Sequence, residues 1–355
     1  MWSRNALTER LNIRWPIFQA PMGDNTTPAL AAAVGNAGGV GGLGMWGFSG
    51  DDAERRVAGF RQMCGAALNV NYPLWDDPGD LAGVGTAMRK RLKNHYDTMG
   101  LGPVPDPVSA SGGVDPSHLA MLEKMKPEVV SFHFGLPDRD TLAAIKSAGI
   151  FVISSATTVK EARELEAGGV DAIIAQGIEA GGHRGTFSGT DVTLQPGLFA
   201  LLPQVVDAVS VPVIAAGGIA DGRAIAAAFM LGASGVQMGT AFLGCEEAHV
   251  HPTHRAALRN VTDASTMVTN VISGRPARFV ANRLVRDLSG ADLDPLPFPA
   301  QMSLTAPLNG TGDAEVMGLY AGQSAALTRS LPAADLVQAL VDETEARLRL
   351  FAPSP

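Results

Sequence analysis

The stretch that decides the fold runs through residues 211–240, VPVIAAGGIADGRAIAAAFMLGASGVQMGT. It predicts a strand over residues 213–216, a helix over residues 223–231 and a second strand over residues 235–238. The first apolar run does not alternate with polar residues, which is typical of a parallel strand covered on both faces. A glycine-rich turn follows each strand. The stretch therefore predicts a strand–helix–strand crossover, the repeating unit of α/β folds.

The same rhythm of apolar run, turn and helix extends back to the start of the chain. Six further strands are predicted, over residues 16–19, 40–43, 67–71, 129–132, 151–154 and 172–175. Strand and helix then alternate about eight times, which predicts a closed (β/α)8 TIM barrel. A doubly wound open sheet is the alternative, but its phosphate-binding turn would come early, whereas the glycine turns here are densest late. Between the third and fourth strands we expect an irregular segment with a short helix near residues 118–125.

After residue 238 the rhythm stops, and polar, proline-rich turns follow, including residues 294–299 (DPLPFP). We expect a barrel over residues 1–245 and a small additional C-terminal lobe over residues 246–331 at the barrel mouth, covering the active site. A last amphipathic helix, over residues 332–350, returns to close the barrel wall.

Composition excludes several classes of protein. With 46% hydrophobic and 17% charged residues and a mean hydropathy of +0.12, the 355-residue chain can bury a large core, which excludes wholesale disorder. The 41 glycines follow no period of three, so collagen is excluded. A net charge of −8 without any basic run argues against a nucleic-acid partner.

The termini and cysteines indicate the compartment. Residues 1–14 lack the apolar core of a signal peptide, and the longest weakly polar stretch, residues 28–43, is interrupted by glycines. A membrane span needs about 20 apolar residues, so no membrane association is expected. Cys64 and Cys245 are too few for a disulfide framework, which favours a reducing cytoplasm. Both are expected to pack as small apolar side chains.

The loops after the last two strands have the composition of a phosphate site. In a TIM barrel the functional residues follow the carboxyl ends of the strands, and phosphate commonly binds between the last two loops. Glycine lets backbone N–H groups approach an anion, and a helix N-terminus adds partial positive charge. The candidate residues are Gly217, Gly218, Gln237, Met238, Gly239 and Thr240. The alternative is that these glycines only form tight turns.

The loop after the sixth strand, residues 176–185 (QGIEAGGHRG), places a histidine among four glycines. Gln176 offers an amide at the strand end, and Gly181 leaves room for a flat ring against the backbone. His183 titrates near neutral pH and can move a proton or orient an anion. A purely structural histidine is the alternative.

Three further candidates follow other strands. Met22 can pack on an aromatic ligand, although a core methionine is the commoner case. Asn69 can hydrogen-bond a ring edge or cap a turn, and His133 is a candidate for the substrate pocket. No metal site is expected, because the spacing of one histidine group fits no metal-binding pattern: His249, His251 and His254.

Taken in order, these segments resemble the FMN-dependent nitronate monooxygenases, formerly called 2-nitropropane dioxygenases. The resemblance is carried by residues 176–185, 215–222 and 237–240, and residues 16–23, 68–70, 131–135 and 321–324 agree with it. It implies oxidation of an alkyl nitronate by O2 to a carbonyl compound and nitrite. Small nitronates such as propionate-3-nitronate are the substrates it implies.

The resemblance also implies roles for individual residues. Asn69 and Gln176 would bond the flavin ring or ribityl chain, and Gly181 would touch the flavin through its backbone. Gly218 and residues 237–240 would hold the phosphate end. His183 matches the active-site histidine, which acts as a base toward neutral nitroalkanes and lies close to bound nitronate.

Other functions stay open at this point. Flavin-dependent enoyl-acyl-carrier-protein reductases, which use NAD(P)H, share the Glu-Ala-Gly-Gly-His loop of residues 179–183, but tend to have Glu in place of Gln176. A phosphate-sugar lyase or isomerase without flavin would usually place Lys or paired carboxylates at the strand ends. The strand ends here carry Asn69, His133, Gln176 and glycines, with no lysine among them. A binding module with an inert flavin is a third alternative. The sequence leaves open whether the protein is a monomer or a homodimer.

Overall fold

The structure, a computed structural model, describes residues 2–81, 83–189, 191–289 and 294–350. These ranges contain eleven strands: β1 (Ile17–Gln19), β2 (Gly41–Gly44), β3 (Leu68–Pro73), β4 (Val129–His133), β5 (Phe151–Ala156), β6 (Ala172–Gln176), β7 (Gly182–His183), β8 (Val213–Ala216), β9 (Gly235–Met238), β10 (Thr266–Thr269) and β11 (Ala277–Val280). Eight of them form one sheet of parallel strands in the order β1-β9-β8-β6-β5-β4-β3-β2. All eight predicted barrel strands are therefore present.

The sheet closes on itself. Its two edge strands are β1 and β2, and a parallel bridge joins Phe18 of β1 to Val40, the residue before β2. Strands β5 and β6 are buried along their whole length, as expected where helices cover one face and the barrel interior fills the other. The prediction of a (β/α)8 TIM barrel is confirmed.

Fourteen α-helices lie in the described ranges: α1 (Ala6–Leu11), α2 (Pro28–Asn36), α3 (Gly50–Met63), α4 (Thr86–Met99), α5 (Pro116–Met125), α6 (Arg139–Ser147), α7 (Val159–Ala167), α8 (Leu198–Ala208), α9 (Gly222–Met230), α10 (Thr240–Leu243), α11 (Pro252–Asn260), α12 (Arg283–Ser289), α13 (Ala300–Asn309) and α14 (Ala333–Arg349). Side-chain capping fixes the residue at which several of these helices begin. The side chain of Asp221 caps α9 by accepting hydrogen bonds from the backbone N–H groups of Arg223 and Ala224. Helix α14 packs against α9 and α2 on the barrel wall.

Helix α4 corrects the expectation of an irregular segment between the third and fourth strands. Its buried residues, Met88, Leu92 and Tyr96, recur every four positions, which is helical spacing. The Tyr96 hydroxyl donates a hydrogen bond of 2.6 Å to the carbonyl oxygen of Leu304 in α13. The sequence pattern did not predict this helix because most of its residues are charged or polar and its apolar stripe is short. That stripe packs on a part of the chain that is distant in sequence.

A second hydrophobic cluster lies outside the barrel core and combines α4 with residues of α12 and α13. Beside it, β10 and β11 pair antiparallel, and β11 pairs with β7 through Ala277 with His183 and Arg278 with Gly182. The loop after the sixth barrel strand is thus tied to the late part of the chain. The division at residues 245 and 331 stays a prediction, and residues 290–293 of the expected lobe lie outside the described residues.

Four smaller observations concern the cysteines, the membrane and the histidine group. Cys64 and Cys245 are buried free thiols. Among the described helices, none is both long and apolar enough to cross a membrane. In the same part of the chain no three histidine, cysteine or acidic side chains are grouped to hold a metal ion. His254 is buried, and its Nε2 lies 2.9 Å from the carbonyl oxygen of Tyr320.

Candidate active site

A cavity of about 550 Å³ opens at the carboxyl ends of the barrel strands, where TIM-barrel enzymes place their chemistry. Most of the residues predicted to form a site line it. They are Met22, His133, Gln176, Gly181, His183, Gly217, Gly218, Gln237, Met238, Gly239 and Thr240. The structure therefore brings the three glycine-rich loops and both candidate histidines around one space.

Asn69 differs from the other candidates because it does not line this cavity. Asn71, two residues later on β3 and nearer the carboxyl end, lines it instead. The Asn71 amide donates hydrogen bonds of 3.1 and 3.0 Å to the carbonyl and hydroxyl oxygens of Ser131. Asn69 is fully buried, and neither atom of its amide has a hydrogen-bond partner in the structure.

The glycines of these loops are required by backbone conformation and close packing. Gly217 and Gly218 have φ angles of +101° and +72°, a region that disfavours residues with a side chain. A Cβ on Gly181 would come within 2.5 Å of the backbone nitrogen of Gly322. The Thr240 hydroxyl in turn accepts a hydrogen bond of 3.0 Å from that same nitrogen. The loops after β6 and β9 therefore meet residues 321–322.

The side-chain amide of Gln176 holds the loop that carries His183. Its Nε2 donates a hydrogen bond of 3.1 Å to the carbonyl oxygen of His183, and its Oε1 accepts one of 2.8 Å from the N–H of Gly185. The guanidinium of Arg184, which is fully buried, donates to the carbonyl oxygens of Gln176 and Gly177. Burial lowers the pKa of Arg184 to about 10, so it stays a cation. The backbone around His183 is therefore fixed from both sides.

His133 also binds the backbone of His183. Its Nε2 lies 3.1 Å from the His183 carbonyl oxygen, which can only accept, so Nε2 carries the proton. Its Nδ1 lies 3.1 Å from the Ser155 hydroxyl, which then donates. Burial lowers the pKa of His133 to about 4 despite the hydrogen bond to His183. His133 is thus a neutral imidazole of defined tautomer at neutral pH.

The imidazole of His183 has an equally defined arrangement. Its Nε2 lies 3.0 Å from the hydroxyl of Ser273, and that hydroxyl donates a hydrogen bond of 3.0 Å to the carbonyl oxygen of Arg275. A hydroxyl has one proton to donate, so His183 Nε2 carries the N–H and its Nδ1 holds the free lone pair. Burial, together with the positive charge of neighbouring groups including Arg275, lowers the pKa of His183 to about 3.

Aromatic residues form the wall of the cavity around His183. The ring centroids of Phe298, Tyr320 and Phe134 lie 5.2, 5.5 and 5.9 Å from that of His183. Trp46, 39% exposed, lies 5.9 Å from Phe298. We call Trp46, Phe134, Phe298 and Tyr320 the aromatic wall; all four line the cavity.

Sequence reasoning missed Ser273, Arg275 and most of the aromatic wall. The guanidinium of Arg275 lies 3.7 Å from the ring centroid of Phe134, in cation–π geometry, and donates a hydrogen bond of 2.6 Å to the carbonyl oxygen of Thr186. The sequence does contain a signal for this part of the site. Two arginines lie close together in residues 273–278 (SGRPAR), in a chain that is poor in positive charge. Nothing in that pattern indicates which strand this segment pairs with.

Comparison with known proteins now identifies the family. The model of the family described as Nitronate monooxygenase matches residues 4–343. The chain belongs to the nitronate monooxygenase family. Nitronate monooxygenase from Paraburkholderia phytofirmans is 42% identical over 98% of both chains. The solved nitroalkane oxidase from Streptomyces ansochromogenes is 39% identical, with a TM-score of 0.87 over 98% of this chain and 100% of that one. FabK from Thermotoga maritima is 29% identical, with a TM-score of 0.75 over 98% of both chains.

Membership of the nitronate monooxygenase family confirms the resemblance seen in the glycine-rich loops. The protein is an enzyme and an oxidoreductase. This membership runs against the alternatives of a phosphate-sugar lyase or isomerase and of an inert flavin-binding module. Nitronate monooxygenases are in general flavin-dependent enzymes that act on small molecules with O2.

Proposed function

We propose that the protein is an FMN-dependent monooxygenase that oxidises alkyl nitronates, and the corresponding nitroalkanes, with O2 to a carbonyl compound and nitrite. The observation that carries the proposal is the state of His183 at the cavity. It is a neutral imidazole whose Nε2–H is bound to Ser273 and whose Nδ1 keeps a free lone pair. This is the form a proton acceptor needs.

An unpartnered polar atom and glycine backbone at the cavity support the proposal of FMN. Gln237 lines the cavity, and the Oε1 atom of that side chain is buried without a hydrogen-bond partner, which a ribityl hydroxyl would satisfy. Gly217, Gly218 and Gly239 would present backbone to the phosphate. Bound FMN would accept electrons from the substrate and react with O2.

His183 has a different role with a nitroalkane than with a nitronate. A nitroalkane must lose its α-proton, and Nδ1 of His183 can accept it because the imidazole is neutral far below pH 7. A nitronate has already lost that proton and needs no base. The positive charge of Arg275 is one of the causes that lower the pKa of His183.

The test replaces His183 by Asn, which keeps a hydrogen-bonding side chain but removes the base. The purified variant should retain FMN, and its kcat with a neutral nitroalkane should fall by about 10²- to 10⁴-fold, the usual range for loss of an acid–base group. The loss with preformed nitronate should be smaller. The control is His249→Asn, at an exposed histidine. Equal, near wild-type activity of His183→Asn with both substrates would make the histidine purely structural.

A further inference from the structure

The charge distribution around the cavity bears on the substrate itself. Among the described residues that line it, Asp24 is the single acidic or basic side chain other than the histidines, and no lysine or arginine is present. None of the residues outside the described ranges is a lysine or an arginine. The cavity therefore offers no cationic side chain to a second negative charge on a ligand.

The nearby cations do not change this conclusion. Arg275 does not line the cavity, and its guanidinium lies against the face of Phe134. The guanidinium of Arg184 is fully buried and bound to oxygen atoms of Gln176, Gly177 and Gln195. The rim instead carries the carboxylate of Asp24. A carboxylate on the substrate would meet aromatic rings without a cationic side chain among the lining residues to pair with.

From this arrangement we propose that the enzyme takes nitronates whose substituent is uncharged and apolar, alkyl or aryl, and discriminates against nitronates that bear a carboxylate. The inference rests on the proposed function and names the substrate class of the same site. The aromatic wall supplies the apolar surface for the substituent, with Trp46 at its solvent-exposed end. The nitronate group lies toward His183.

The physical reason is the unequal cost of moving the two substituents out of water. An alkyl or aryl group gains by burial against aromatic rings. A carboxylate loses its hydration and finds no ion-pair partner, which is costly unless the charge is compensated. Propionate-3-nitronate, the substrate that resemblance alone implies, carries such a carboxylate. This chain should therefore use it poorly.

The first experiment compares three nitronates with the FMN-loaded enzyme: propyl-1-nitronate, phenylmethane nitronate and propionate-3-nitronate. Oxygen consumption and nitrite release give kcat/KM for each. The two uncharged substrates should exceed propionate-3-nitronate by at least about tenfold, equal to about 1.4 kcal/mol. A kcat/KM for propionate-3-nitronate equal to or above that of propyl-1-nitronate would overturn the inference.

A matched set of variants tests the cause. Trp46→Lys places a cation on the exposed end of the aromatic wall, and it should raise kcat/KM for propionate-3-nitronate relative to propyl-1-nitronate by about tenfold. Trp46→Met removes the ring without adding charge and should not produce this gain. Phe199→Lys adds the same charge at an exposed residue of α8 that does not line the cavity, and it should also leave the ratio unchanged. A gain in either control, or none in Trp46→Lys, would contradict the inference.

A binding measurement separates this inference from the proposed function. Calorimetric titration of the FMN-loaded enzyme, without oxygen, compares 1-nitrobutane with 3-nitropropionate. The uncharged compound should bind at least about tenfold more tightly whether or not turnover follows. If no nitronate is oxidised but this preference holds, the proposed function fails and the selectivity stands. If nitronates are oxidised and 3-nitropropionate binds as well or better, the selectivity fails alone.

Discussion

Nε2 of His183 and the hydroxyl of Ser273 lie 3.0 Å apart, and this contact joins the barrel loop after β6 to the turn before β11. The Ser273 hydroxyl donates its own hydrogen bond to the carbonyl oxygen of Arg275. One residue of the late segment thus sets which nitrogen of the histidine is protonated. The barrel supplies the imidazole, and the later segment fixes its tautomer.

Replacing Ser273 by Ala should therefore weaken the base without removing it. His183 Nε2–H would lose its acceptor, and the imidazole would be free to change tautomer or rotate. We expect kcat with a nitroalkane to fall by about tenfold, the equivalent of one lost neutral hydrogen bond, and kcat with nitronate to fall less. Ser147→Ala, at an exposed serine of α6, is the control. Identical rates in Ser273→Ala and wild type with both substrates would refute the role of this contact.

The depressed pKa values of His183 and His133 predict how stability depends on pH. Unfolded histidines titrate near pH ~6.5, whereas burial lowers the pKa to about 3 in His183 and about 4 in His133. As pH falls from ~6.5 toward these values, only the unfolded chain takes up the protons. The free energy of unfolding should fall by about 1.4 kcal/mol per pH unit for each histidine.

Urea denaturation at pH 7, 6 and 5 measures this dependence. His183→Asn should show a shallower decline than wild type, because a buried imidazole with a strongly lowered pKa is gone. His249→Asn, at an exposed residue, should decline as wild type does. A slope that is unchanged in His183→Asn would show that His183 is protonated in the folded protein as readily as in the unfolded chain.

Gly218→Val tests the phosphate end of the proposed flavin site. With φ at +72°, a β-branched residue is strained there, and the added side chain would stand in the loop that lines the cavity. Flavin retention, measured as absorbance per protein after gel filtration, should fall much more than helical content by circular dichroism. Gly65→Val is the matched control, because a Cβ there meets nothing within 4 Å and no positive φ is involved. A folded and fully flavinated Gly218→Val protein would remove phosphate binding from this loop.

The barrel was predictable from sequence because its signals are local. Apolar runs such as Val213–Ala216 are followed by glycine turns and capped helices, so each unit is recognisable within about 30 residues. Helix α4 was not predicted, since its apolar stripe is short and its partner, α13, lies about 200 residues away. The pairing of β11 with β7 is likewise a long-range contact that no local pattern indicates.

The same distinction between local and long-range signals explains which residues of the candidate site could be predicted. Its glycines and His183 follow barrel strands directly, so strand order alone brings them together. Ser273 reaches His183, and Phe298 reaches the cavity, only through the fold of the late segment. The local sequence around each of them is typical of a turn. Asn71 was a near miss: β3 runs to Pro73, two residues beyond its predicted end, so the side chain at the cavity is the next one on the face of Asn69.

The arginines near the cavity bear on the choice between two flavin-dependent functions, nitronate oxidation and reduction by NAD(P)H. A reductase that takes hydride from NADH or NADPH needs cationic side chains for the dinucleotide phosphates, and Arg184 and Arg223 lie in the segments that follow β6 and β8. Arg184 is fully buried and committed to oxygen atoms of its own loop. Arg223 forms an ion pair of 2.5 Å with Asp221, beside the cap of α9. Arg184 is therefore not available to a dinucleotide phosphate, and Arg223 does not line the cavity.

We therefore expect nicotinamides to leave the flavin oxidised. The FMN-loaded enzyme is mixed without oxygen with NADH, with NADPH or with propyl-1-nitronate, while the flavin absorbance near 450 nm (about that value for flavins in general) is followed. The nitronate should bleach the band, because the organic substrate is the electron donor, and both nicotinamides should leave it unchanged for many minutes. When air is admitted, the nitronate sample should consume oxygen and release nitrite. Rapid bleaching by NADH or NADPH, with the nitronate inert, would instead assign the enzyme to reductase chemistry.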